Sequence, residues 1–496
     1  MSGSTAMVAA GHPRTAAVGA QVLRDGGNAV DAAIAAMLAS WVCEPQLTGP
    51  GSGGYMLVAG GEQAPALLDF FIAAPGAGAD IAGHSPLVPY EVDFGNTTQI
   101  FNGGAASCGV PGTPAGIAAA ADRWATLPLA DLAAPAAALA REGVPLNRQQ
   151  AYVFDLLAAI LVHTPQASAE FAPGGRPLRE GELFRSDLLA TTIERLGADG
   201  ALPFYRGDIA AAAAGHCAGH GGLITRDDLA AYEAIVRVPA RAAYRGRTVL
   251  TNPPPSAGGA LLALAFGKLE GDRDSGPPCA TALARVMADV QALRTPQFVA
   301  GLSEAGFLDR FLGDQLGSTT HISVLDADGR ACSVTCTNGS GSGVVVPGTG
   351  IHLNNIMGEE DLNPLGFFHA PPGRRMPSMM SPTVVLGADG EVELVVGSAG
   401  SSRIRSAILQ VVVNVVDRGM SAVDAIDSPR IHVEGGVVYA EPGIDPGLLR
   451  EVGRDVVEFT ERNLFFGGVQ AVERAAQTGA ISGGGDPRRG GAAVAA

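Results

Sequence analysis

The stretch "LGSTTHISVLDADGRACSVTCTNGSGSG", residues 316–343, opens a β-favouring run with two threonines and interrupts it with Asp-Ala-Asp-Gly. Alternating residues on both sides of Asp328-Gly329 are the pattern of a β-hairpin. The length of the turn sets the register. A three-residue turn over 327–329 places Thr319 opposite Thr337, whereas a two-residue Asp328-Gly329 turn places it opposite Asn338. In either register a polar partner lies beside Thr319, because opposed Cα atoms are only about 4.5–5.5 Å apart. The hairpin therefore gathers hydroxyl groups at its open end.

A threonine hydroxyl is a weak nucleophile until a base removes its proton, and the free α-amino group of the same residue is one such base. That amine titrates near about 7.7–8.0, which leaves a useful neutral fraction at physiological pH. Thr319 gains it only if the Ser318–Thr319 peptide is cut. The same hydroxyl, attacking the preceding carbonyl, could make that cut through an ester that water hydrolyses. A strand start rich in β-favouring threonine is the plain alternative. The rest of the chain weighs between the two.

With 496 residues the chain exceeds one ordinary core, so two lobes or a large layered domain are expected. Its 68 glycines and 33 prolines imply many tight turns. A formal charge of -16 repels nucleic acid and anionic membrane surfaces, which leaves small polar substrates open. The start "MSGSTAMVAAGHPRTAAVGA" has no basic segment followed by an apolar core, so no secretory signal is read. The apolar stretch 29–43 contains Asp31 and is too short for a membrane span. A soluble, cytoplasmic protein is expected. Six cysteines without a C-x-x-C pair suit reduced, buried thiols.

The first third alternates helical and strand patterns, with "RTAAVGAQVLRDGGNAVDAAIAAMLASWV" helical and "GGYMLVAG" and "ALLDFFIAA" strand-like. Helices dominate 113–235, including one that opens with a capping box at Thr225 and Asp228. Beyond 319, "PTVVL" and "EVELVVG" form a second hairpin pattern around "GADG", and "SSRIRSAILQVVVNVVDRG" reads as a helix. Strands flanked by helices on both sides of 319 suggest helix layers around stacked sheets. In "VVGSAGSSRIRSAILQ" a strand passes through small residues into a helix. The N–H groups of Gly400 and Ser401 there suit a developing oxyanion, for which one lost donor costs roughly 2.7–4 kcal/mol.

Together these segments resemble the gamma-glutamyltranspeptidase family of N-terminal-nucleophile hydrolases. "GGNAVDAAIAA", "GPGSGGYMLV", "VPGTPAGIAAA", "GGLITRDDLAAYEA", "PPPSAGG", "STTHISVLDADG", "GTGIHLNNIMGEED", "PSMMSPTVVL", "GSAGSSRI" and "GGGDPR" follow the family's order. The stretch 265–315 matches least. The resemblance implies an α+β fold, a four-layer αββα sandwich, with self-cleavage between Ser318 and Thr319. Residues 1–318 would form a large-subunit-like region and 319–496 a catalytic one, and the two fragments would stay associated. It implies Thr319 as nucleophile with its amine as base, Thr337 orienting both, and the N–H groups of Gly400 and Ser401 as the oxyanion hole. The family usually has two glycines at that turn.

The substrate end departs from the family. An arginine that usually meets the substrate carboxylate is Phe71 here, and an apolar ring offers no charged hydrogen bond. Phe71 as core packing would relocate the cation, with Arg374 or Arg375 as candidates. Asn338 and Glu359 match amine-binding positions and Ile356 replaces a glutamine. Ser378 matches the first of a serine pair, whose second is Met379. The segment after "GEEDLNP" is short, so the lid loop is missing, and an open pocket favours hydrolysis over transfer. The leading reading is a self-processing amidase acting on a γ-glutamyl-type amide, a small-molecule substrate. The alternatives are an acylase for a less charged acyl group, such as a β-lactam side chain, and an uncleaved binding or scaffolding relative.

The chemistry requires no cofactor and no metal. His216, Cys217 and His220 have a helical spacing that can bind metal, but a helix-dipole role near a carboxyl end is preferred. "GPGSGG" lacks the ending of a phosphate loop and reads as close backbone packing. His321 lies on the same strand face as Thr319 and is read as a core or supporting residue.

Overall fold

The computed structural model describes residues 6–496 except 62, 80–82, 94–97, 273–275, 294–318, 364–365, 451 and 453–454. Ser318 thus lies outside the described residues and Thr319 within them.

Two antiparallel sheets organise the chain. Their strands are β1 (Met7–Ala10), β2 (Gly53–Ala59), β3 (Ala66–Phe70), β4 (Ile235–Arg237), β5 (Ala240–Tyr244), β6 (Arg247–Thr251), β7 (Thr320–Leu325), β8 (Ala331–Thr337), β9 (Thr383–Leu386), β10 (Val392–Ala399), β11 (Gly468–Arg474), β12 (Ile481–Gly485) and β13 (Ala492–Ala495). The first sheet runs β13-β1-β7-β8-β2-β3-β4 and the second β12-β11-β10-β9-β6-β5.

Alternation along the strands separates two interiors. Ile322, Val324, Cys332 and Val334 share a cluster with the helices α1 (Pro13–Arg24) and α2 (Ala29–Cys43). Leu325 and Ala331 belong to a second cluster with Val384 and Val396 of the other sheet. The helices α3 (Ala257–Gly271) and α4 (Arg403–Arg418) contribute Leu261, Phe266, Ile404 and Ile408 to that second cluster. They pack on β5, β6 and β10.

Every residue of α2 is buried, which is why its sequence is apolar all round rather than striped. Its one charge is satisfied locally: Asp31 accepts the hydroxyl of Thr126 at 2.5 Å and the N–H of Leu127 at 3.1 Å. The helical run read from 14 to 42 is in fact two helices. Gly26 at φ +93° breaks it, and a capping box of Asn28 and Asp31 starts the second. Thr225 and Asp228 form the expected capping box, on the short helix Arg226–Ala230, and Asp228 also accepts from Gly76 and Ala77. Cys279 is exposed, against the expectation of buried thiols, while the other five are buried and all six are free.

The decisive hairpin takes one of its two possible registers. Leu325 pairs with Ala331 and Thr320 with Cys336. The turn spans three residues and Gly329 adopts φ +80° in its last position, a left-handed conformation that glycine enters without steric cost. This register puts Thr319 level with Thr337, not Asn338. Thr337 in turn pairs with Gly53, and Gly54 with Phe70.

Candidate active site

Thr319 is 2% exposed and immediately precedes β7. Cross-sheet contacts join the β7–β8 hairpin to β10. Ser333, which pairs with Ser323, reaches the carbonyl of Val396 at 3.3 Å. A Cβ on Gly397 would overlap the His321 ring, so the two elements meet there without a side chain between them. Thr319 lies two residues before His321, just ahead of β7, and Gly400 and Ser401 follow the end of β10 at Ala399.

His321 itself is spent on structure. Its Nδ1 lies 2.8 Å from the Thr335 hydroxyl and its Nε2 3.0 Å from that of Ser323. Burial pushes it down to about 3, so the ring is neutral. A hydroxyl-lined layer thus separates the sheets behind Thr319.

Gly400 has φ +114° and Ser401 φ +71°, and helix α4 starts only at Arg403 after Ser402. The turn is therefore a left-handed kink rather than a bare helix start. A side chain at Ser401 makes this backbone costly, of order 1–3 kcal/mol. The sequence marks Ser401 as a departure from the two glycines usual in the family but gives no sign of this strain.

Thr337 is buried and its Oγ1 accepts the N–H of Gly339 at 2.7 Å. Asn338 donates its N–H to Leu47 at 2.8 Å and accepts from Asn355 at 3.1 Å, while both atoms of its buried side-chain amide lack a partner among the described residues. The Glu359 carboxylate is packed against Gly339, where an added Cβ would overlap it. These three residues therefore lie around one short loop at the open end of β8. Ile356 is buried nearby.

Ser378 and Met379 serve the entrance of α3. Ser378 accepts the N–H of Met380 through its hydroxyl, and its carbonyl accepts from Gly258 and Ser256. Met379 is buried in the core between the sheets.

Phe71 is fully buried and stacks on Tyr55 with ring centroids 5.6 Å apart. Its carbonyl accepts the Tyr232 hydroxyl at 2.6 Å and Arg375 Nη1 at 2.7 Å. Arg375 further donates to the Glu233 carbonyl at 2.7 Å and lies 3.3 Å from Asp69. The suggested relocation of a carboxylate-binding cation to Arg375 is corrected on this ground: its donors are directed to the protein. Arg374 and Arg375 border a cavity of about 600 Å³ with Asp228, Tyr232 and Pro255. Thr319, Thr337, Gly400 and Ser401 do not line it. Ser401 lines a narrower cleft with Leu47, Phe101, Leu464, Arg403 and Arg489.

One residue escaped sequence reading. Glu44 ends α2, is buried, and accepts the Thr320 hydroxyl at 3.1 Å on each carboxylate oxygen. Burial pushes its carboxyl up to about 7, against the Thr320 hydrogen bond and Arg489, which draw it down. A carboxylate closing an apolar helix, where the helix dipole opposes it, was the available signal.

Among the described residues no group of three or more His, Cys, Asp and Glu is placed to hold a metal ion. His216 and His220 stack at 4.1 Å near the end of the helix Asp208–Gly219, with Cys217 buried behind them. "GPGSGG" is close backbone packing: a Cβ on Gly51 would overlap the His352 carbonyl, and one on Gly54 that of Thr335. No helix among the described residues is long and apolar enough to cross a membrane.

The described residues form a mixed helix-and-sheet architecture, and comparison with known proteins narrows this. The profile of the family described as Gamma-glutamyltranspeptidase matches residues 15–295 and 309–496. The chain belongs to the gamma-glutamyltranspeptidase family, within the N-terminal-nucleophile hydrolases. It is 33% identical over 478 residues to the acylase ACY 1 proenzyme of Pseudomonas sp. (strain SE83), covering 89% of this chain and 85% of that one. It is also 33% identical over 504 residues to the glutathione hydrolase proenzyme of Escherichia coli (strain K12), covering 90% and 84%. Its structure is similar to that of a cephalosporin acylase from Bacillus halodurans, with a TM-score of 0.82, 28% identity, and coverage of 99% and 96%.

Proposed function

We propose that this protein is a self-processing amidase whose nucleophile is Thr319, released as an amino terminus by scission of the Ser318–Thr319 bond. The single observation that carries the reading is the hairpin register, which sets Thr319 level with Thr337. The two sheets, with helices on their outer faces, are read as the four-layer αββα sandwich.

In the reaction the Thr319 amine takes the Oγ1 proton while Oγ1 bonds to the amide carbon. The carbonyl electrons move to oxygen, where the N–H groups of Gly400 and Ser401 are the proposed donors. Collapse breaks the C–N bond, and the departing amine takes the proton from the Thr319 ammonium. Water then adds to the acyl-threonine ester with the same amine as base, and the acid leaves. Thr337 orients the nucleophile. Asn338, whose buried amide has no partner among the described residues, and Glu359 are the proposed contacts to the acyl portion. The short segment after Glu359 supports water as the main acceptor.

A second reading, an acylase for an uncharged or less charged acyl group, is favoured by Phe71. The ring that replaces the usual arginine is buried, and Arg375 beside it is held by protein carbonyls.

Denaturing electrophoresis and intact-mass measurement test the first reading. The parent is expected to yield fragments 1–318 and 319–496, and Thr319→Ala to remain intact. A parent that stays whole after prolonged incubation overturns it. Parallel hydrolysis of a γ-glutamyl anilide and an uncharged acyl anilide then chooses between substrates.

A further inference from the structure

Side chains alternate along β7. Ile322 and Val324 join the cluster of α1 and α2, and Thr320, in step with them, reaches the end of α2. Pairing with β1 stops at Ala10 and Ile322, because Gly11 and His12 lead into α1. Among the described residues Thr320 therefore has a strand partner on one flank, Cys336 of β8. On the other flank the Glu44 carboxylate stands in for one, accepting the Thr320 hydroxyl at 3.1 Å on each oxygen. Gly11 leaves it room, since a Cβ there would overlap the carboxylate.

The backbone of the same turn holds β8. Glu44 donates its N–H to Ser40 in α2, and its carbonyl accepts from Leu47 at 2.9 Å and Thr48 at 3.2 Å. The Leu47 carbonyl accepts the N–H of Asn338, the residue after Thr337, at 2.8 Å. One hydrogen-bonded turn, 44–48, thus grips the residue after Thr319 and the residue after Thr337. An acid buried at the carboxyl end of a helix is opposed by both desolvation and the dipole, and such local conflicts concentrate at functional sites.

Scission before Thr319 would make this grip matter more. Thr319 would then be joined to the fold by one peptide bond, and chain ends fray unless they are tied down. The ladder starts at Thr320, so its hydrogen bond to Glu44 lies one residue from the new terminus. A nucleophile displaced by about 1 Å can lose about a hundredfold in rate.

We infer that Glu44 is a positioning residue for Thr319 in both self-cleavage and turnover, acting through the Thr320 hydroxyl while the 44–48 turn keeps Thr337 in step. The inference rests on the amidase reading given above. In this role Glu44 touches neither substrate nor the reacting atoms.

Thr320→Val and Thr320→Ser, which differ in keeping the hydroxyl, test it together with Gly11→Ala, which crowds the carboxylate from a third residue. Fragment formation is timed on denaturing gels, and kcat and KM are measured on whichever anilide the parent hydrolyses; the cleavage rate decides alone if it hydrolyses neither. Thr320→Val and Gly11→Ala are expected to slow cleavage and lower kcat roughly tenfold or more with KM unchanged. Thr320→Ser should recover most of that loss. Glu44→Leu combined with Thr320→Val should be no slower than the slower single variant, because both remove one contact. Parental rates in Thr320→Val, losses that multiply in the double variant, or a change confined to KM overturn the positioning role. If Glu44→Leu does not fold, the two Thr320 variants decide by the same ratios. An uncut parent overturns the amidase reading and this role with it, a result distinct from a cut parent matched by its variants.

Discussion

The Thr320 hydroxyl reaches both carboxylate oxygens of Glu44 at 3.1 Å, which anchors the residue next to Thr319 to the end of α2. The folded protein holds the Glu44 proton more tightly than the unfolded chain does, since its carboxyl rises from 4.5 to about 7. Stability from this group is then complete below about 4.5 and is lost as pH climbs through about 7. Glu44→Gln should match the parent at pH 4 and exceed it at pH 8, by on the order of 3 kcal/mol. Thermal unfolding of both proteins at the two pH values checks it, and parallel curves would refute it. Burial pushes His12, His321 and His352 in the opposite sense, an effect common to both proteins that cancels in the difference.

Ser401 holds φ +71° without being glycine. Ser401→Gly should therefore stabilise the fold by about 0.5–1 kcal/mol after glycine's larger unfolded-state entropy is deducted. Ser401→Val should destabilise it by about 1–3 kcal/mol. Urea titration of the three proteins measures both signs.

Gly54 has no room for a methyl group, since its Cβ would overlap the carbonyl of Thr335 and stand 2.9 Å from Cys336 Sγ. Neither strand can yield without shifting β8 and the Thr337 at its end. Gly54→Ala is expected to cost more than about 2 kcal/mol and to slow fragment formation. Denaturant midpoints and a time course on denaturing gels would reveal it.

Arg375 uses two separate nitrogens on the carbonyls of Phe71 and Glu233 while facing Asp69. A lysine brings one point charge where a planar fork is needed, so Arg375→Lys should lose about 2–4 kcal/mol. Differential scanning calorimetry tests this. Recovery of parental stability by lysine would show that charge alone suffices.

The hairpin was legible because its two runs alternate around Asp328-Gly329, but its register was not. Two turn lengths fit the local sequence, and the choice is reinforced from far away. The Asp326 carboxylate takes the N–H of Arg330 at 2.8 Å and that of Ala29, at the start of α2, at 2.9 Å. The glycine kink after β10 was visible as strand, small residues and helix. The sign of φ at Ser401 was hidden, because a serine carries no local signal for the left-handed backbone it adopts. Phe71 was noticed as a departure, but its burial and the commitment of Arg375 depend on Tyr55, Asp69 and Tyr232, which only the folded sheet assembles.

The ladder β13-β1-β7-β8-β2-β3-β4 alternates segments drawn from either side of residue 319. Severing the backbone there would resemble cutting one thread of a woven cloth. The pieces would share a single cooperative melt, elute together at the volume of the unbroken molecule, and come apart only when the whole fabric is unfolded.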